Sequence, residues 1–161
     1  WAGLAAVIAA ALAFDASTPF PGAAAGVRRP PGRPATATAR RVLPPAVPHA
    51  DAAFTAGRAA LLVQALCHRP ELLHAATEDR LHQEYRSGVM PRTWQLVRAL
   101  RDAGQAAVVS GAGPSVLVLE RLTDGDEGVQ VREQVLDALG VRDEWQVLAP
   151  GLAGGAEAER L

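Results

Sequence analysis

Residues 106–120 read "AAVVSGAGPSVLVLE", two short runs of valine, leucine and alanine separated by a turn that holds two glycines and a proline. Nothing else in the chain constrains its fold as tightly. Runs this short and apolar on either side of such a turn pair as neighbouring antiparallel strands. A parallel pair would need a crossover of a dozen or more residues between them. The chain must therefore build an antiparallel sheet here and cover it with whatever lies before and after.

What lies before has helical periodicity. "HADAAFTAGRAALLVQALCHRP" (49–70) spreads Phe54, Leu61, Leu62, Ala65 and Leu66 among alanines, with Asp51 in the first turn and Pro70 as the stop, which predicts one buried helix. "ELLHAATEDRLHQEYR" (71–86) predicts a second helical stretch broken at Thr77, which would cap "EDRLH". A third starts at Pro91, aligns Trp94, Val97 and Leu100, and closes at Gly104. After the strand pair, Val131, Val135 and Leu139 with Leu136 mark an amphipathic helix ending at Gly140, and "EWQVLAP" (144–150) supplies a last strand. The expected class is α+β, with helices packed on one face of a small antiparallel sheet, and not a doubly wound parallel fold.

Charge divides the chain. Its 161 residues carry a net charge of −1, but residues 1–48 hold five arginines and one acid, while the remainder holds eleven arginines and sixteen acids. A near-neutral whole speaks against nucleic acid or a membrane surface as partner. Eight of twelve prolines also fall in the first 48 residues, so residues 1–33 read as an irregular Ala/Pro/Arg-rich lead-in, residues 34–150 as one domain and residues 151–161 as a loose tail. "LAAVIAAALAF" (4–14) is too short for a membrane span and lacks the positive flank of a signal peptide. "RRPPGRPATATARR" (28–41) reads as a solvated linker, because it has no aromatic to stack a base. A single cysteine, Cys67, excludes an internal disulfide and fits a reduced, cytoplasmic setting.

The glycine turn leaves two alternatives open. A Walker A or dinucleotide loop needs a helix after its glycines and, for the former, a lysine; here a strand follows and the chain has no lysine. Gly111 and Gly113 can still reach positive φ and fold their amides into an anion nest, although Pro114 removes one donor. Locally a plain turn is the simpler reading. His49, His68, His74 and His82 have no metal-ligand spacing and read as surface or packing residues, so no metal site is expected.

Four segments taken together alter that balance. "PATATARRVLPPAVPHADAAFTAGRAALLVQAL" (34–66), "ATEDRLHQEYR" (76–86), "MPRTWQLVRALRDAG" (90–104) and "AVVSGAGPSVLVL" (107–119), in this order, resemble the C-terminal half of homoserine kinase. That family shares a superfamily with galactokinase, mevalonate kinase and phosphomevalonate kinase. The resemblance implies a ferredoxin-like C-terminal domain, ATP and magnesium as cofactors, and phosphorylation of the L-homoserine hydroxyl in threonine biosynthesis, with a homodimer as one possible assembly. It implies that Ser110, Gly111, Ala112, Gly113 and Ser115 form the third motif near the nucleotide. It also implies that Thr36, Arg40 and Arg86 bind the substrate, a role that suits the paired donors of guanidinium toward a carboxylate. By residue type alone, Arg86 is expected to pair with Glu78 or Glu84.

The family's phosphate-wrapping loop, of the form "PxxxGLGSSAA", and its catalytic acid and magnesium ligands have no counterpart in this sequence, so no catalytic residue is assigned. The strand that the family places before "TATAR" is replaced by "GAAAGVRRPPGR" (22–33), which looks like an altered reading frame and should leave a sheet edge exposed. The expectation is a C-terminal homoserine kinase fragment inactive by itself. A non-catalytic amino-acid-binding or assembly module is the alternative.

Overall fold

A computed structural model describes residues 23–29, 36–121 and 127–148. Four strands, β1 (Ala23–Arg29), β2 (Ala106–Val109), β3 (Val116–Arg121) and β4 (Gln146–Leu148), form one sheet in the order β2-β3-β1-β4. All three pairings are antiparallel. With helices between β1 and β2 and between β3 and β4, this is the split βαβ arrangement of a ferredoxin-like sandwich. The strand pair expected from the sequence forms as read, with Ala106 opposite Leu119 and Val109 opposite Val116.

β1 departs from the expectation for the lead-in. Ala23–Arg29 is not irregular, and no edge is left open where the family's strand was missing: β1 sits in the middle of the sheet, bonded to β3 on one side and β4 on the other. "AAAGVRR" has little β propensity, yet strand pairing is made by backbone groups, and only proline is barred from a central strand. The nearest prolines, Pro21 and Pro30, flank the strand. The linker reading of residues 28–41 is revised for the same reason: Arg28 and Arg29 end β1, and "TATARR" is a short helix, α1 (Thr36–Arg41). The apolar run 4–14 and the tail 151–161 lie outside the described residues.

The remaining helices are α2 (His49–Cys67), α3 (Leu73–Ala76), α4 (Pro91–Asp102) and α5 (Glu127–Ala138). Gly104 follows α4 at φ +83°, which lets the Gln105 amide turn back to the Leu100 carbonyl at 2.9 Å. Side-chain alternation along the strands splits the core in two. Ala107, Val109, Val116 and Val118 pack with Leu96, Val97 and Leu100 of α4 and Leu136 of α5. The alternate residues Ala106 and Leu119 pack with Leu62, Ala65 and Leu66 of α2 and Leu73 of α3, so helices cover both faces of this strand pair and not one as expected, because both faces are apolar. Among the described residues no helix is long and apolar enough to cross a membrane.

Two local expectations shift. The buried line of α5 is Gly128, Arg132 and Leu136, with Val131, Val135 and Leu139 on its half-buried flank. An ion pair between Arg132 and Glu120 of β3 draws that line inward, and a Cβ on Gly128 would stand 2.9 Å from Glu120 Oε1. Thr77 does not cap a following helix. Its hydroxyl donates backward to the Leu73 carbonyl at 2.8 Å and ends α3, and it accepts from Arg101 Nη1 at 2.9 Å. Residues 78–83 form an irregular, bent segment, and Asp79 takes the capping role by accepting the amides of His82 (2.9 Å) and Gln83 (2.8 Å).

Candidate functional site

The turn between β2 and β3 is built with two glycines in the left-handed region, Gly111 at φ +60° and Gly113 at φ +79°. Its ends are held by a 2.7 Å bond from the Ser110 amide to the Ser115 carbonyl, and its tip by a 2.9 Å bond from the Gly113 amide to the Ser110 carbonyl. The Gly113–Pro114 peptide is cis. These bonds use the amides of Ser110 and Gly113; among the described residues those of Gly111 and Ala112 enter no backbone bond. Consecutive amides beside a positive-φ glycine are the material of an anion nest. The segment is a tight bend, and it leaves two donors uncommitted to backbone.

Three of the four segments that carry the resemblance meet at one side chain. Arg86, in the 3-10 turn Glu84–Val89, is wholly buried. Its Nε donates to the Ala39 carbonyl of α1 at 3.2 Å, and its Nη1 donates to the Gly111 carbonyl of the loop at 2.7 Å. It therefore ties "TATAR" to "SGAGPS" across 47 residues on one side and 25 on the other. Glu78 is paired instead with Arg58, at 3.3 Å. Burial pushes the Arg86 guanidinium below its ordinary pKa, Asp79 opposes that shift, and the charge of Arg40 adds to it.

Arg40 lies in the last turn of α1 and is exposed, and Thr36 is the first residue of the same helix. Of the two arginines expected at the substrate, one is open to solvent and the other is enclosed, with two of its nitrogens already on carbonyls.

Sequence reading overlooked four residues that surround the loop. Gln83 Oε1 accepts the Val109 amide at 2.8 Å. Thr93 Oγ1 donates to the Pro114 carbonyl at 2.9 Å. Asp79 caps the turn that carries Gln83, and Met90 underlies Gly113, where a Cβ would come within 2.6 Å of its sulfur. No local signal marks Gln83, Thr93 or Met90, since each meets its partner from a distant part of the chain, whereas Asp79 bonds amides three and four residues on.

Burial lowers the His82 pKa, an effect opposed by Asp79 and reinforced by Arg86. The sign follows directly: the unfolded chain takes up the proton first, near the ordinary 6.5. As pH falls below that value the folded state loses stability, until its own histidine protonates. Urea midpoints measured from pH 7.5 to pH 5 should fall over the acid half of that range, and His82→Gln should flatten the decline. An equally steep fall in His82→Gln would place the effect elsewhere.

Among the described residues no three His, Cys, Asp or Glu side chains stand together as a metal site, so these residues do not fit a magnesium ion.

Residues 59–140 match the family described as GHMP kinases C terminal. The chain belongs to the GHMP kinases. Within this family, it is 59 % identical to a homoserine kinase of Streptomyces coelicolor over 98 residues, covering 60 % of this chain and 32 % of the relative. It is 63 % identical to one of Leifsonia xyli subsp. xyli over 84 residues, covering 52 % of this chain and 26 % of the relative. The chain thus spans about a third of the length of the curated relatives it matches. A crystal structure of homoserine kinase from Cytophaga hutchinsonii superposes with a TM-score of 0.63 at 23 % identity, over 80 % of this chain and 40 % of that one. That likeness shows the fold. The residues matched to the GHMP kinase C-terminal family include β2, β3, the glycine-rich turn between them and Arg86.

Proposed function

We propose that this GHMP kinase chain is the C-terminal domain of a homoserine kinase, which transfers the γ-phosphoryl group of ATP to the side-chain hydroxyl of L-homoserine in threonine biosynthesis. One observation carries the reading: Arg86 holds α1, with Thr36 and Arg40, against the glycine-rich turn. An acceptor-binding segment and a phosphate-facing segment are thereby kept in fixed relation, and phosphoryl transfer depends chiefly on such positioning.

Electrostatics supports the acceptor side. Arg40 and Arg86 are close enough for one to depress the pKa of the other. A carboxylate bound at Arg40 relieves that repulsion, and Arg86 supplies positive charge from behind it. Thr36 is proposed as a further substrate contact. On the nucleotide side, the amides of Gly111 and Ala112, with Ser110, Gly113 and Ser115 shaping the turn, form one wall of the phosphate pocket. ATP is bound with magnesium, whose ligands belong to other parts of the enzyme. A cytoplasmic location accords with the lone Cys67.

Replacing residues 36–148 of this chain for the matching segment of the Streptomyces coelicolor enzyme tests the reading. The chimaera should phosphorylate L-homoserine with ATP and magnesium, and the chain alone should not turn over. A folded chimaera with no activity overturns the assignment. Saturable binding of L-homoserine by the chain without any effect of ATP on either protein would favour a non-catalytic amino-acid-binding module.

A further inference from the structure

The glycine-rich turn is held from outside at both ends, and by residues to which no role has been assigned. Ser110 and Ser115 form the last hydrogen-bonded pair of the hairpin, so the next pair, Val109 and Val116, turns its amides away from the ladder. β2 is an edge strand, and the Val109 amide therefore points where no further strand exists. Gln83, only 6 % exposed, fills that place with its side-chain oxygen at 2.8 Å. At the other end the Pro114 carbonyl is met by the hydroxyl of Thr93, 2 % exposed, at 2.9 Å. Thr93 lies in the first turn of α4, where a hydroxyl has no need to be buried for the helix's own sake.

We propose that Gln83 and Thr93 are positioning residues for the turn: one fixes its entry and the other its exit. Together they hold the backbone in the form that leaves the consecutive Gly111 and Ala112 amides available to a phosphate. Hairpin bonds alone close the turn but do not fix its path relative to α4 and α1. The two side chains do that from two separate elements: Gln83 stands beside Arg86 in the segment that Arg86 also joins to the turn, and Thr93 belongs to α4.

The functional meaning rests on the kinase reading above, but the test needs neither nucleotide nor homoserine, so the two can fail separately. Amide hydrogen exchange is measured on the full chain, residue by residue, for wild type, Gln83→Met, Thr93→Val and Thr93→Ser. Gln83→Met and Thr93→Val should each accelerate exchange of the Ser110 and Gly113 amides by about ten- to a hundredfold, the consequence of leaving one buried polar group unpaired. The amides of Leu62 and Leu66 in α2 should keep their wild-type rates. Thr93→Ser, which retains the hydroxyl, should restore slow exchange in the turn. Unchanged exchange at Ser110 and Gly113, equal acceleration throughout the chain, or Thr93→Ser behaving like Thr93→Val would each overturn the proposal.

Discussion

Arg86→Met is expected to destabilise the chain by on the order of 3 kcal/mol or more, read as a lowered urea midpoint. Exchanging a buried charge for an apolar side chain of similar length is neutral in many proteins, because the desolvation penalty disappears with the charge. Here the buried carbonyl of Ala39 is left without the donor that reaches it at 3.2 Å, and the carbonyl of Gly111, on an exposed residue, loses its 2.7 Å partner to water. The unpaired Ala39 carbonyl costs about 1–3 kcal/mol, and with the lost tie between α1 and the turn this outweighs the relief. Arg86→Lys separates charge from geometry. An ammonium is a point donor on a flexible stem and does not span two carbonyls set apart by a guanidinium. It should therefore lie nearer to Arg86→Met than to wild type. Wild-type stability in Arg86→Lys would mean that the charge matters and the two-carbonyl bridge does not.

Gly113→Ala should cost about 2–4 kcal/mol, and Gly111→Ala only about 1–2 kcal/mol. Both positions have positive φ, +79° and +60°, so both pay the left-handed penalty of a Cβ. They differ in what the Cβ meets. At Gly111 there is nothing within 4 Å, whereas at Gly113 the Met90 sulfur stands at 2.6 Å and Val109 Cγ1 at 3.2 Å. Met90 is flexible and can retreat in part, which bounds the effect from above, but it is buried in the core beneath the turn. The double variant Met90→Ala with Gly113→Ala should then be less destabilised than the two single changes added together, since the new methyl occupies space that the methionine vacates. Equal losses at Gly111 and Gly113, or strict additivity in the double variant, would remove the packing account of this turn.

Much of the fold was legible because its signals are local. The valine and leucine runs around "GAGP", Pro70 and Pro91 at helix boundaries, and Gly104 and Gly140 after helices each act within a few residues. The strand pair, α2, α4 and α5 appear where these marks place them. The buried line of α5 was displaced by one residue because apolar periodicity cannot foresee an ion pair inside a core, and Arg132 turns inward toward Glu120. β1 was missed for a related reason. "AAAGVRR" carries no strand signal of its own, and its conformation is set by β3 and β4, which offer backbone groups on either side.

Local residue pattern was enough to set an antiparallel hairpin with glycines at the two positions that need positive φ, a helical layer before it, and a set of segments that resemble one kinase family. Folding in three dimensions settled that three of those segments meet, that Arg86 is the enclosed tie between them while Arg40 is exposed, and that Gln83, Met90 and Thr93 support the turn. The reason is distance along the chain. Helix ends and turns are settled by neighbours in sequence, whereas a buried guanidinium, amide or hydroxyl takes its partners from wherever folding brings an unpaired backbone group.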